Sequence, residues 1–136
     1  MAIELTKPQH DEISRHGEET FPNECCGFML GKLNGDDRGD WRLATLVMLD
    51  NRFLITPEAF MRGEKAARAK GLDIVGFYHS HPNAPARPSQ YDLDHAWPVY
   101  SYVIVSIQDG AAADMTSWRL KEDRSAFDPE EIRTVE

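Results

Sequence analysis

The sequence predicts an α/β domain in which helices are layered on a largely buried sheet. Two apolar runs of strand length, Asp73–Tyr78 and Ser101–Ile107, are typical of buried strands. Helix-start signals occur at Thr6 and at Thr56, so helices are interleaved with the strands. A chain of 136 residues is long enough for one core but not for two, and we therefore expect a single domain over residues 1–136.

The first helix is predicted from its N-terminal residues. Thr6 is suited to cap the helix, Pro8 lies in its first turn, and Gln9 is placed to close a capping box. We therefore predict a helix from about Lys7 to about Glu18.

A hairpin is predicted after this helix. The apolar run Cys25–Gly31 has the length of a strand, and Glu24 lies at its start. The polar segment Asn34–Asp40 is typical of a turn, and Trp41–Met48 is predicted to be the returning strand.

The middle of the chain is predicted to contain a second helix and a buried strand. Arg52–Ile55 is suited to a short third strand, and Thr56 is then a cap with a proline at the first helical position. Gly71 is a natural end for this helix. The strand Asp73–Tyr78 follows and leads directly to His79.

The last part of the chain is predicted to contain a short helix and two strands. Ser89 has the form of an N-cap with a carboxylate, Asp92, three positions later. A short helix is expected from there toward Trp97, followed by strands at Ser101–Ile107 and Met115–Leu120.

The composition excludes several classes of protein. No apolar run approaches the roughly 20 residues that a membrane span needs, and a formal net charge of -8 argues against nucleic-acid binding. The N-terminal residues lack the basic and apolar stretches of a secretory signal, so we expect a cytoplasmic protein. Cys25 and Cys26 are adjacent and cannot join distant segments, so we expect reduced, buried thiols.

Two histidines are candidates for a metal site. Side chains at positions i and i+2 of a strand point to the same face, so His79 and His81 project together. By itself such a pair is more often structural than metal-binding. A loop with three prolines follows, which is rigid enough to hold a distant carboxylate in place. A catalytic zinc needs three protein ligands, and spacing alone leaves the third open among Asp92, Asp94 and His95.

These segments resemble the signature of the JAMM, or MPN-plus, metallopeptidases. That signature is an upstream glutamate, then His-Ser/Thr-His-Pro, a short spacer and Ser-x-x-Asp. It is matched by Glu24, by His79-Ser80-His81-Pro82, and, after six residues, by Ser89-Gln90-Tyr91-Asp92. The segments 21–31 and 51–57 are similar to the bacterial and archaeal branch of the family, and the resemblance covers most of residues 5–120.

The resemblance implies both a fold and a set of roles. The implied fold has three layers and is related to the cytidine deaminases, with a central curved mixed sheet flanked by helices. The implied roles are one Zn²⁺ per chain held by His79, His81 and Asp92, Glu24 as the general base, and Ser89 as a support for the oxyanion.

Other roles are open for residues near the motif. The Ser89 hydroxyl is equally suited to capping the helix that presents Asp92. We interpret Asp94 and His95 as hydrogen-bonding supports of the metal ligands or as exposed residues. Arg87 is interpreted as a surface residue, with contact to the substrate as the less favoured alternative because it lies beside the site.

The expected activity is that of a zinc metallopeptidase or isopeptidase. The resemblance implies cleavage after the C-terminal Gly-Gly of a ubiquitin-like or sulfur-carrier protein, either to remove such a modifier from a target or to trim an added amino acid from a carrier. Two alternatives remain, namely a non-catalytic MPN-type binding module and a non-haem iron enzyme that uses the same two histidines and one carboxylate. The sequence does not determine the oligomeric state.

Overall fold

A computed structural model describes residues 2–33, 40–49 and 56–136. The described elements are, in chain order, β1 (Ala2–Thr6), α1 (Lys7–Thr20), β2 (Cys26–Leu33), β3 (Trp41–Met48), α2 (Pro57–Ala69), β4 (Asp73–Pro82), α3 (Gln90–His95), β5 (Ser101–Gln108), β6 (Ala111–Leu120) and β7 (Phe127–Val135). The short strand predicted at Arg52–Ile55, and all of the predicted turn at Asn34–Asp40 except its last residue, lie outside the described residues.

The strands form one mixed sheet in the order β1-β3-β2-β4-β5-β6-β7, which closes because β1 pairs with both β3 and β7. The predicted hairpin strands β2 and β3 are antiparallel neighbours. The strand β4 lies between β2, to which it is antiparallel, and β5, to which it is parallel. The predicted mixed sheet is thus confirmed, whereas its closure was not predicted.

Apolar side chains on the two faces of the sheet pack against different helices. Met29 belongs to the cluster that includes Ile13 of α1, and its neighbour Phe28 belongs to the cluster that includes Ala59 of α2. Adjacent residues of a strand point to opposite faces, so α1 and α2 cover opposite sides of the sheet. This agrees with the layered α/β fold that was predicted. None of the described helices is long and apolar enough to span a membrane.

The boundaries of the helices follow the predicted caps. Thr6 and Gln9 form the expected capping box, with the Gln9 N–H donating to the Thr6 hydroxyl and the Thr6 N–H donating to Gln9 Oε1. The hydroxyl of Thr56 accepts a hydrogen bond from the N–H of Ala59 at the start of α2. Local side-chain chemistry therefore determines where these helices begin.

Strand boundaries differ more from the prediction. The apolar run predicted for β4 was Asp73–Tyr78, with His79 and His81 at the end of the strand, and the strand runs to Pro82 because β5 pairs with it as far as Pro82 and Ile107. β6 begins at Ala111 rather than at Met115. The strands β1 and β7 were not predicted at all, and they supply the closure of the sheet.

Candidate metal centre

The two histidines of the His-Ser-His segment lie on one face of β4, as predicted. Their Nε2 atoms are 3.0 Å apart, and each side chain is about one-eighth exposed, at 12%. Ser80, between them, points to the other face and is fully buried. The extended backbone therefore directs two imidazole nitrogens at a single point.

The third donor atom comes from α3. Asp92 Oδ2 lies 3.4 Å from Nε2 of His79 and 3.4 Å from Nε2 of His81. The same oxygen accepts a hydrogen bond of 2.8 Å from the backbone N–H of Ser89, which fixes the rotamer of the carboxylate. Of the three candidates that the spacing left open, Asp92 is the one that the structure brings to the histidines.

Asp94 and His95 are hydrogen-bonded within α3. Asp94 is exposed and accepts a hydrogen bond of 2.8 Å from the Gln90 amide. His95 is exposed, its Nδ1 lies 2.9 Å from the carbonyl of Tyr91, and its ring stacks on that of Tyr91. Of the two interpretations offered for these residues, exposure agrees with the geometry.

The spacing of the three donor atoms can be compared with that of a tetrahedral zinc site. Zinc bonds to nitrogen and oxygen of roughly 2.0–2.1 Å place any two ligand atoms about 3.3 Å apart. The separations among His79, His81 and Asp92 are 3.0, 3.4 and 3.4 Å. This donor set, two imidazoles and one carboxylate, thus has both the chemistry and the spacing that such an ion requires.

A backbone contact determines which nitrogen of His81 is available. Nδ1 of His81 lies 2.8 Å from the carbonyl oxygen of Pro85, an acceptor, so Nδ1 carries the proton and donates it. The lone pair of Nε2 then faces Asp92 and His79. Hydrogen bonds of this kind orient metal-binding histidines and increase their basicity.

Glu24 lies beside this donor set. Its carboxylate and the two histidines each offer an atom within 4.8 Å of the others. Glu24 immediately precedes the Cys25–Cys26 pair, and Cys26 pairs with His79 across the β2–β4 ladder. Both thiols are free and buried, as predicted.

Ser80 is the residue that ties the Glu24 segment to β4. Its hydroxyl oxygen accepts a 2.8 Å hydrogen bond from the N–H of Cys25, and its own N–H donates to the Cys25 carbonyl at 3.1 Å. In the sequence Ser80 had been named only as part of the His79-Ser80-His81-Pro82 segment, with no role of its own. A small hydroxyl residue between two histidines on a buried strand is the signal that was available for this role.

The pKa values of the two acidic groups at the centre shift in opposite directions, because burial dominates for Glu24 and hydrogen bonding outweighs burial for Asp92. Burial raises the pKa of the Glu24 carboxyl, and His79 and His81 offset part of this effect. Burial also acts to raise the pKa of Asp92, but hydrogen bonds with the two histidines outweigh it and hold the pKa well below its usual range. Asp92 is thus kept in the anionic form that binds metals, whereas Glu24 is made more basic.

The hydroxyl of Ser89 can both accept and donate a hydrogen bond. Its oxygen accepts a 3.1 Å hydrogen bond from the N–H of Asp92 and so caps α3, as predicted. A hydroxyl has one proton to donate in addition to its lone pairs. Capping therefore does not occupy the donor, and the two roles considered for Ser89 are compatible.

Two cavities meet at the donor set, and both are lined by Tyr91 and Asp92. The first, which we call the aromatic lobe, has a volume of about 480 Å³ and includes His79, Phe60, Phe77, Trp97 and Tyr102 in its wall. The second, the polar lobe, has a volume of about 550 Å³ and includes Glu24, His81, Arg87 and Ser89. A substrate that crosses the donor set would therefore have room on both sides.

Comparisons with known proteins agree with the fold. Residues 6–121 match the family model described as prokaryotic homologs of the JAB domain. A desampylase from Haloferax volcanii is 32% identical over 111 residues, which cover 76% of this chain and 80% of the relative. A probable TtuB-protein conjugate cleaving protease from Thermus thermophilus is 42% identical over 62 residues, which cover 45% of this chain and 40% of the relative.

A solved structure extends the likeness over nearly the whole chain. The solution structure of a protein from Salinibacter ruber is 41% identical, has a TM-score of 0.80, and covers 96% of this chain and 90% of that protein. Together with the family match, these findings show that the chain belongs to the prokaryotic JAB-domain branch of the JAMM/MPN proteins.

Proposed function

We propose that this protein is a zinc metallopeptidase that hydrolyses the peptide or isopeptide bond following the C-terminal Gly-Gly of a ubiquitin-like or sulfur-carrier protein. One observation carries the proposal. Donor atoms of His79, His81 and Asp92 converge within 3.0–3.4 Å of one another, and the Glu24 carboxylate lies beside them. The three residues would hold one zinc per chain.

The residues around the donor set fit the chemistry of amide hydrolysis. A bound zinc would polarise the scissile carbonyl and lower the pKa of a bound water to about 7. Glu24, whose pKa burial raises, takes a proton from the attacking water and passes it to the leaving nitrogen. The free proton of the Ser89 hydroxyl is donated to the oxyanion.

The positions of these groups orient the substrate. Glu24 and Ser89 both line the polar lobe, and neither lines the aromatic lobe. Because Glu24 protonates the leaving nitrogen, the leaving group occupies the polar lobe. The acyl part, with its Gly-Gly end, then enters from the aromatic lobe, where glycines without Cβ let the backbone pass close to the metal ligands.

A protein conjugate as substrate is supported by the relatives. One of them is named a desampylase and another a protease that cleaves TtuB-protein conjugates. Within the described residues, β1 pairs with β3 at Trp41 and Arg42, and the Gln9 amide donates to the carbonyls of Leu43 and Ala44. The rest of this edge of β3 is a place where main-chain docking is possible. Extended tails commonly bind by such strand addition.

The two alternatives make different predictions. A non-catalytic MPN-type module would not need the complete ligand set and base, all of which this chain has. A non-haem iron enzyme would use the same two histidines and one carboxylate with iron. Metal analysis of protein purified in air separates these cases, because our proposal requires zinc.

The proposal is tested with a small β-grasp carrier that ends in Gly-Gly followed by one extra residue. We expect release of that residue by the zinc-loaded protein, and little release from the same carrier with Ala-Ala in place of Gly-Gly. Casein serves as the general protein substrate. Equal cleavage of the two carriers, or digestion of casein while the carrier stays intact, would refute the proposed specificity.

A further inference from the structure

Arg87 is a cationic residue beside the donor set. Among the described residues that line the two lobes, it is the sole lysine or arginine. It is exposed, and within the described part of the chain its guanidinium makes no hydrogen bond or ion pair. In a chain with a net charge of -8, an uncommitted cation beside two carboxylates, Glu24 and Asp92, is available for an anionic ligand.

The backbone that carries Arg87 is held firmly. Its N–H donates to the carbonyl of Pro85 at 2.8 Å, and the Thr116 hydroxyl donates to the carbonyl of the buried Ala86 at 2.6 Å. Pro88 follows and restricts the backbone further. The Cα of Arg87 is thus fixed relative to the donor set, and only its side chain is free to adapt to a ligand.

The position of Arg87 is on the leaving-group side. It lines the polar lobe together with Glu24 and Ser89, into which the proposed mechanism directs the leaving nitrogen. A planar guanidinium matches a carboxylate with two parallel hydrogen bonds. An amino acid released from a peptide bond carries such a carboxylate on the carbon next to its nitrogen, whereas an isopeptide-linked lysine carries none near its Nζ.

We propose that Arg87 binds the terminal α-carboxylate of the leaving residue, so that the preferred substrate is a carrier protein with a single amino acid added to its Gly-Gly end by a peptide bond. This inference rests on the proposed function and chooses between its two substrate classes. The arginine also offsets the repulsion that Glu24 and Asp92 exert on an incoming carboxylate.

The reaction balances as a simple hydrolysis. The oxygen of water bonds to the carbonyl carbon of the second glycine, and the bond from that carbon to the leaving nitrogen breaks. One water proton passes through Glu24 to the leaving nitrogen, and the other is lost from the new carboxyl group and taken up by the amino group of the product. The products are a carrier that ends in a free Gly-Gly carboxylate and one free amino acid, so that no other reactant is consumed.

Three carriers that differ only after Gly-Gly provide the test. One ends in Gly-Gly-Ala with a free carboxylate, the second ends in the corresponding Ala amide, and the third is joined to a lysine side chain of a peptide. We expect kcat/KM of the parent to be about 10- to 100-fold higher for the carboxylate than for the amide, the usual effect of a hydrogen-bonded charge pair.

Two substitutions test whether Arg87 causes the preference for the carboxylate over the amide. In Arg87→Gln the ratio of carboxylate to amide should fall to about 1, whereas Arg15→Gln, which removes an exposed arginine of α1 outside both lobes, should keep it. Equal cleavage of the carboxylate and amide carriers by the parent, faster cleavage of the isopeptide, or an unchanged ratio in Arg87→Gln would overturn the inference.

A binding measurement separates this inference from the proposed function. In zinc-loaded Glu24→Gln, titration calorimetry with peptides ending in Gly-Gly-Ala should give tighter binding for the carboxylate than for the amide, and adding Arg87→Gln should abolish the difference. Equal affinities in Glu24→Gln would refute the role of Arg87. Absence of cleavage of all three carriers by the parent would instead refute the proposed function, and the binding result would still decide the role of Arg87.

Discussion

The hydroxyl of Tyr78 lies 2.7 Å from Nδ1 of His16, and this buried pair joins α1 to the strand that presents the metal-site histidines. Burial raises the pKa of Tyr78 far above its usual value, so its hydroxyl stays protonated and donates to the histidine. Nδ1 of His16 is therefore an acceptor, and the neutral ring carries its proton on Nε2.

The pair predicts a dependence of stability on pH. Burial lowers the pKa of His16 below 6.5, with a partial offset from Glu19. Between the lowered pKa and 6.5 the unfolded chain binds more protons than the folded one. The free energy of unfolding therefore increases as the pH rises through this window and decreases as the pH falls through it. Urea unfolding between pH 5 and 8 should show a smaller loss on acidification in His16→Gln than in the parent.

The control for this experiment is His10→Gln, because His10 lies on the same helix but is partly exposed. Its acidification curve should run parallel to that of the parent. Parallel curves for His16→Gln and the parent would show that the buried pair does not cause the pH dependence.

Metal content provides the second prediction. Purified parent protein should hold about one zinc per chain, and His79→Ala or Asp92→Ala should lose most of it because two donors hold zinc weakly. Asp94→Ala is the matched control, since Asp94 is on the same helix but bonds to Gln90. Elemental analysis after dialysis measures the content. Full retention of zinc in His79→Ala would mean that the ion is bound elsewhere.

Glu24→Gln should separate metal binding from turnover. The amide keeps the shape of the side chain but cannot take a proton, so zinc content and the unfolding midpoint should match those of the parent while kcat falls by at least about 10². Steady-state kinetics on the Gly-Gly carrier and the elemental analysis are done on the same samples. A variant with normal turnover would remove Glu24 from the mechanism.

The two roles of Ser89 can be separated by substitution, and the capping box of Thr6 in α1 provides a control. Ser89→Ala should lower kcat by about 10² to 10³ through loss of the oxyanion donor and stability by about 1 kcal/mol through loss of the cap. Ser89→Asp should restore the cap but not the rate, because an ionised carboxylate accepts hydrogen bonds and cannot donate one to the oxyanion. Thr6→Ala removes the equivalent cap of α1, far from the cavities, and should lower stability alone.

A role restricted to capping would give a different pattern for Ser89. In that case Ser89→Asp would recover both the unfolding midpoint and the turnover number, and activity per folded molecule in Ser89→Ala would equal that of the parent.

The buried ion pair between Arg119 and Glu130 predicts an effect on stability. Nε of Arg119 lies 2.9 Å from Oε2 of Glu130, and the two side chains are 5% and 2% exposed. Glu130→Ala removes the carboxylate that faces this buried cation and should cost about 3–5 kcal/mol, whereas replacing both residues with leucine should recover most of the loss. Lys121→Ala breaks the neighbouring pair with Asp128, whose side chains are about half exposed, and should cost less than about 1 kcal/mol.

Denaturant unfolding of these three proteins measures the effects. Equal destabilisation by Glu130→Ala and Lys121→Ala would show that burial does not determine how much the Arg119–Glu130 pair contributes to the free energy of unfolding.

The shared face of His79 and His81 was predictable because it depends on short-range structure, whereas the choice of Asp92 over Asp94 and His95 came from the family resemblance. The spacing of His79 and His81 on a strand gives a shared face, and the capping box of Ser89 and Asp92 gives a defined carboxylate rotamer. The position of Glu24 was not predictable in this way, since it depends on the pairing of β2 with β4 and on the contact between Ser80 and Cys25. Only the family resemblance pointed to it.

The strands β1 and β7 escaped prediction for different reasons. β1 is five residues long, so the alternation of buried Ile3 and Leu5 with less buried residues is too short a pattern to predict a strand. β7 is mostly exposed and contains Pro129, which cannot donate to a ladder, so it lacks both the apolar pattern and the composition of a strand. Its position is determined by partners distant in the chain, and a local pattern cannot report these.

The pairing of Ile3 with Ile132 has a consequence for synthesis on the ribosome. β1 is translated before the other described strands, and β7 after them. β1 forms two residue pairs with β3, so it lacks most of its hydrogen-bond partners until β7 has been synthesised. The nascent chain therefore carries an incompletely bonded strand through most of its elongation, and contacts of such long sequence separation form slowly. Completion of the sheet, and with it the final packing around α1, is thus a late event that follows translation of the last strand.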